Sequence, residues 1–251
     1  MKKLIQNKVD KKAISQFPRA TFDGKIVVVV SQAEAERAVD YLLAQPVLGF
    51  DTETRPSFKK GVHHKCSLLQ VSTENCCFLF RLNHIGLCPA VKRLLADNTV
   101  TKVGLAWRND ALGLHQLGDF EMGEFVDLQD MARKIGIEDQ SLAKLYANVF
   151  GERISKREQL TNWERDVLDD HQKRYAATDA WACVMLYQEL LRLKKEGYDL
   201  EVVPEPEPVA PAPKEDKPKA KKPNNKPRKK RKTTYKPKDK KVTKPKKTTT
   251  E

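Results

Sequence analysis

No stretch of this 251-residue chain approaches the ~20 consecutive apolar residues that a membrane-spanning helix needs. The opening MKKLIQNKVDKK has basic residues but no apolar run behind them, so no secretory signal is expected there. Cysteines are few: Cys66, Cys76, Cys77, Cys88 and Cys183, with no CxxC or other zinc-like spacing. An odd number without a framework excludes a disulfide scaffold and fits reducing surroundings. The chain is therefore expected to be soluble and cytoplasmic, with no membrane association. Beyond residue 200 there is no glycine, phenylalanine or tryptophan, yet ten of the 14 prolines lie there. From Glu201 on, 18 Lys and Arg stand against 7 Asp and Glu, a net +11. Of the 47 basic and 34 acidic residues in the whole chain, this leaves 29 against 27, a net +2, in the first 200 residues. The basic character belongs to one end.

That end reads as low complexity. A segment such as EPEPVAPAPKEDKPKAKKP cannot bury enough apolar surface to offset the entropy of ordering. Residues 199–251 are expected to form a disordered Lys/Pro-rich tail, residues 1–22 a polar N-terminal arm, and residues 23–198 a single domain.

Within that domain, KIVVVV (25–30) reads as a strand, and SQAE is a capping box with Ser31 as N-cap and Glu34 three residues on. The helix it opens runs to about Ala44, with Ala35, Val39, Leu42 and Leu43 as its buried stripe. A strand at 47–53 follows, then a hairpin of 66–73 and 76–82 around a Glu74–Asn75 turn. Next come a helix (88–97), a short strand (101–106), a helix (109–118) closed by Gly118, a strand (124–128) and helices near 129–136 and 140–150. An irregular stretch (151–168) precedes a long helix from about Asp170 to Lys195, in which Trp181, like Trp163 before it, reads as core. Hairpin strands followed by alternating helices and strands imply an α/β fold, a mixed sheet with helices on both faces.

Four acids stand out by position. VLGFDTETRP runs from apolar residues straight into Asp51 and Glu53, which alternation places on one face of a strand. Either that strand end is open to water or it holds a cation. Asp110 lies in the first turn of a helix that directly follows a strand. Asp179 sits among Ala176, Ala177, Ala180 and Ala182 in the long helix, one turn after Tyr175. Taken singly, Asp110 reads as a helix cap or dipole partner, Asp-x-Glu as a solvated edge and Tyr175 as a core ring. Taken together, their order also suits convergence at one end of a sheet. Oxygen ligands with open positions would there take Mg²⁺ or Mn²⁺ rather than zinc.

The stretches GFDTETRP, KVGLAWRNDALGL and RYAATDAWACVMLY resemble the three motifs of DEDD-type 3′–5′ exonucleases, the Werner-syndrome-type domain more than RNase D. The resemblance covers roughly residues 25–193 and implies a ribonuclease H-like fold. It implies that Asp51, Glu53, Asp110 and Asp179 are catalytic ligands of two Mg²⁺ or Mn²⁺ ions, and that catalytic Tyr175 orients the attacking water. Nucleic-acid strands would then be hydrolysed from single-stranded 3′ ends, releasing nucleoside monophosphates. Tyr175 matches the DEDDy branch; a DEDDh enzyme would carry histidine where Arg174 stands. Substrate contacts implied in this way are the backbone beside Thr52 and the basic pair Lys156 and Arg157, the latter two also readable as a solvated loop. Arg55, Lys59 and Lys60 are further candidates for the substrate backbone, while His63 and His64 receive no metal role. No motif records a 2′-OH contact, so DNA and RNA both stand as substrates. Protein partners are unassigned.

Two other functions remain open at this point. DTET loosely matches the nucleophile motif of haloacid-dehalogenase phosphatases, a reading that leaves Tyr175 and YAATDAW without a role. A catalytically weak nucleic-acid-binding scaffold of the same fold is the non-enzyme alternative.

Overall fold

A computed structural model describes residues 2–204. In chain order the elements are β1 (Lys3–Gln6), α1 (Lys11–Ile14), β2 (Lys25–Val29), α2 (Gln32–Leu43), β3 (Val47–Thr54), β4 (Cys66–Ser72), β5 (Cys76–Arg81) and α3 (Leu82–Ile85). They continue with α4 (Pro89–Ala96), β6 (Thr101–Gly104), α5 (Trp107–His115), β7 (Val126–Asp127), α6 (Leu128–Lys134), α7 (Leu142–Phe150), α8 (Asp170–Glu196) and β8 (Tyr198–Glu201). Six strands form one sheet in the order β2-β5-β4-β3-β6-β7. Only β4 runs against its neighbours: β2 and β5, β3 and β6, and β6 and β7 all pair in parallel.

Alternation along the strands sorts two layers. Phe50, Leu69, Val71, Phe78 and Phe80 face α2, α4 and α5 in one buried cluster. Leu68, Cys77 and Leu79 point the other way and pack with Ala176, Ala177 and Ala180 of α8. Helices therefore cover both faces, as the pattern implied. The Ser31–Glu34 capping box forms in both directions, fixing where α2 begins.

The sheet centre is crossed by α8 at unusually short range. A Cβ placed on Gly49 would overlap the Ala180 carbonyl oxygen, so no side chain fits between β3 and this helix. Glycine at 49 and alanine at 180 bring the helix backbone almost onto the strand. Two residues further along β3 stands Asp51, and one residue back along α8 stands Asp179.

Three expectations are corrected. Within the expected polar N-terminal arm, residues 2–22 carry elements that pack on the domain: β1 pairs in parallel with β8, Ile5 is 1% exposed, and the Asp10 side chain caps α1. The pairing was hidden because a four-residue strand that buries one side chain leaves no periodic signal. The domain likewise runs past residue 198, since Asp199, Leu200 and Glu201 belong to β8. The remainder of the expected tail, from residue 205, lies outside the described residues. The helix expected at 109–118 begins earlier, at Trp107, because Ala106 takes a left-handed turn (φ 55°) directly after β6. Its N–H is held there by the Asp127 carboxylate at 3.1 Å.

Candidate metal centre

Strand β3 delivers two carboxylates to its C-terminal end on the face covered by α8. Asp51 is half-buried, and Glu53 and Asp179 are each 7% exposed. One oxygen from each of Asp51, Glu53 and Asp179 lies within 4.8 Å of the other two. Asp110 comes from the opposite layer, where α5 packs, and accepts a hydrogen bond from the Thr52 hydroxyl. Since Thr52 alternates with Asp51 and Glu53, this bond ties the fourth acid to the same strand end without placing it in the three-acid group.

These acids repel one another in a poorly hydrated place. Burial first, then the charges of Asp179 and Asp110, hold Asp51 well above the usual carboxylate range. Burial, followed by the charges of Asp51 and Asp179, pushes Glu53 up to about 10. Asp179 rises to about 7 through burial, offset in part by a hydrogen bond from Tyr175 and by the charge of Lys156. Asp110 rises to about 6, again chiefly through burial, with the Thr52 hydroxyl opposing. Tyr175 is held far above its ordinary range by burial and then by the facing acids, so it stays a neutral hydroxyl.

Three convergent carboxylates, oxygen donors only, on two rigid elements fit a divalent hard cation such as Mg²⁺ or Mn²⁺. Among the described residues no histidine joins them: His64 is engaged with Glu164 at 2.9 Å, and His63 is exposed.

Asp51, Glu53 and Asp179 line a cleft of about 340 Å³ together with Tyr175, Ser141 and Lys156. Arg157 is exposed and lies outside that lining. The loop after β3 is pinned to the segment before α8 by Glu164, which accepts from Arg55 at 3.0 Å as well as meeting His64. Lys59 and Lys60 lie exposed on this loop. Trp163 is fully buried, with its ring 6.0 Å from that of Tyr175. Sequence reasoning passed over Cys183, which lines the cleft and donates to the Phe50 carbonyl at 3.6 Å. Its signal was available, four residues after Asp179 and hence on the same side of the helix.

Residues 26–194 match a family model described as 3′-5′ exonuclease. The chain is 33% identical over 150 residues to the bifunctional 3′-5′ exonuclease/ATP-dependent helicase WRN of Mus musculus, covering 57% of this chain and 11% of that protein. It is 31% identical over 190 residues to a 3′-5′ exonuclease of Arabidopsis thaliana, covering 69% of this chain and 66% of that protein. The match thus spans less than two thirds of the length of either relative. In fold, the crystal structure of the Aedes aegypti Nibbler EXO domain aligns with a TM-score of 0.64 at 22% identity, over 72% of this chain and 95% of that one.

Proposed function

The chain belongs to the 3′–5′ exonuclease family, and from that premise we propose that it removes nucleoside monophosphates from single-stranded 3′ ends of DNA or RNA, with two Mg²⁺ or Mn²⁺ ions. The observation that carries this reading is the convergence of Asp51, Glu53 and Asp179 within 4.8 Å in the lining of one cleft. Cations bound there supply an activated water and neutralise charge on the phosphate and the leaving oxygen.

The side chains have separable tasks. Asp51, Glu53 and Asp179 hold the ions, and Asp110, steadied by Thr52, supports the second one. Tyr175, kept neutral and with its O–H given to Asp179, accepts a hydrogen bond that orients the attacking water without taking its proton. Lys156 stands beside Asp179 at the cleft wall, where it meets a phosphate; Arg157 contacts the backbone further along the strand. The backbone beside Thr52 faces the terminal nucleotide. A cytoplasmic site of action completes the proposal. The phosphatase alternative finds no support in the family match, which covers the motifs of all four acids.

The test is digestion of DNA and RNA strands labelled at either end, in Mg²⁺, Mn²⁺ or EDTA. Expected is stepwise shortening from the 3′ end that stops in EDTA and in Asp51→Ala. Persistent cleavage by Asp51→Ala, or release from the 5′ end, would overturn the reading. Binding without cleavage would favour the scaffold.

A further inference from the structure

Gln70, in the middle of β4, is 0% exposed, and neither its amide nitrogen nor its amide oxygen has a hydrogen-bond partner. Buried side-chain amides are nearly always satisfied, so a core position with both ends unmet calls for a reason. An apolar side chain of similar length would fill the same space without that penalty.

The register supplies the reason. Gln70 lies directly opposite Asp51 on β3 and opposite Leu79 on β5. Directly opposed residues of antiparallel strands project to the same face with Cβ atoms roughly 4.5–5.5 Å apart. Gln70 therefore occupies the α8 side of the sheet, in the row of Leu68 and Leu79 that packs with Ala176, Ala177 and Ala180. Directly across from it stands Asp51, with Glu53 and Arg81 on the diagonals and Ser72 two residues along β4. The Asp51 carboxylate takes a hydrogen bond from the Thr52 backbone, and among the described residues no side-chain donor serves it. A dry amide donor without an acceptor thus sits beside a carboxylate without a side-chain donor.

We propose that Gln70 is a positioning residue for the metal centre, donating from Nε2 to the Asp51 carboxylate and fixing its orientation when cations are bound. The inference rests on the metal-centre reading above. Metal-ligating carboxylates ordinarily require an outer hydrogen-bonding partner, and losing one weakens metal binding by about 10–100-fold. A hydrogen bond to an ionised carboxylate is roughly twice as strong as one between neutral groups, and Asp51 must be ionised to be a ligand.

The experiment uses the full chain and reads Mn²⁺ binding by calorimetry, with thermal melts in EDTA and in Mn²⁺. Gln70→Met should melt in EDTA at or above the wild-type temperature, because an unsatisfied amide has gone. It should bind Mn²⁺ about 10–100-fold more weakly and show a smaller Mn²⁺-induced rise in Tm. Gln70→Asn keeps the amide but withdraws it by one methylene, and it should show the same weakened binding if Met disturbs the layer. In a cycle with Asp51→Asn, the two losses in Mn²⁺ affinity should fall short of additive, since the amide acts through that carboxylate. Wild-type Mn²⁺ affinity in both Gln70 variants would overturn the proposal and leave the metal-centre reading standing. No Mn²⁺ binding by the wild-type chain would overturn both.

Discussion

The carbonyl oxygen of Ala180 occupies the space where a side chain on Gly49 would begin. This close approach sets the height of α8 above β3. It is therefore what lets Asp179 reach Asp51 and Glu53. Gly49→Ala should force the helix outward, since the obstructing atom is backbone and cannot rotate away. Overpacking of this kind costs about 1–3 kcal/mol. Both the urea midpoint and Mn²⁺ affinity should fall; a destabilised protein with unchanged Mn²⁺ affinity would separate helix height from metal binding.

Stability without metal should fall as pH rises. The folded-state values of Asp110, Asp179 and Glu53, about 6, 7 and 10, lie above the ordinary values of 3.8, 3.8 and 4.5. The folded chain thus holds more protons than the unfolded one across this window, and the slope of unfolding free energy against pH is negative. As far as these groups decide it, stability is full below about pH 4 and declines from there until the last of them has ionised near pH 10. Groups with depressed values, such as Glu189 at about 2 beside Arg192 and Lys3, act only in acid and do not disturb this window. Urea midpoints measured in EDTA and in Mg²⁺ check it: the decline should flatten in Mg²⁺ and in Asp179→Asn.

Tyr175→Phe should fold, and because the phenol donates to the Asp179 carboxylate it should bind Mn²⁺ more weakly, so its rate is read at saturating Mn²⁺. Its single-turnover cleavage rate should drop about 10²-fold through a misplaced water. An unchanged rate would remove the orienting role.

The tail enters through charge alone. Residues from Glu201 on carry a net +11 against +2 for the rest. A chain ending at residue 204 should bind long single strands more weakly, with a salt slope shallower by about 0.7 for each phosphate that is no longer neutralised. Its turnover on a short oligonucleotide should stay the same, since every proposed ligand precedes residue 180. Binding titrations at several salt concentrations distinguish this from a tail that never meets substrate, for which the slopes coincide.

What the sequence made legible was whatever repeats or sits at a fixed spacing. Alternation placed Asp51 and Glu53 on one face, and the box from Ser31 to Glu34 marked the start of α2. The span from Tyr175 to Asp179 put both groups on one side of α8, as the structure has them. Relations made only by tertiary packing were illegible. The opposition of Gln70 and Asp51 depends on hairpin register, and the bond from Thr52 to Asp110 depends on two layers meeting at one strand end. The left-handed Ala106 gave no warning either, because glycine or asparagine is the usual marker of such a turn.

The parallel pair of β1 and β8 has a consequence for the order of events in synthesis. Their side chains meet across 195 residues, as between Gln6 and Glu201, so β1 emerges long before its partner exists. Until then Ile5 lacks the neighbouring strand beside which it is buried with Leu145 and Leu190. Closing so long a loop is a late step in a chain assembled from one end. Weakening this seam should therefore leave the rate of folding nearly as it is and hasten unfolding, with the two ends of the domain parting first.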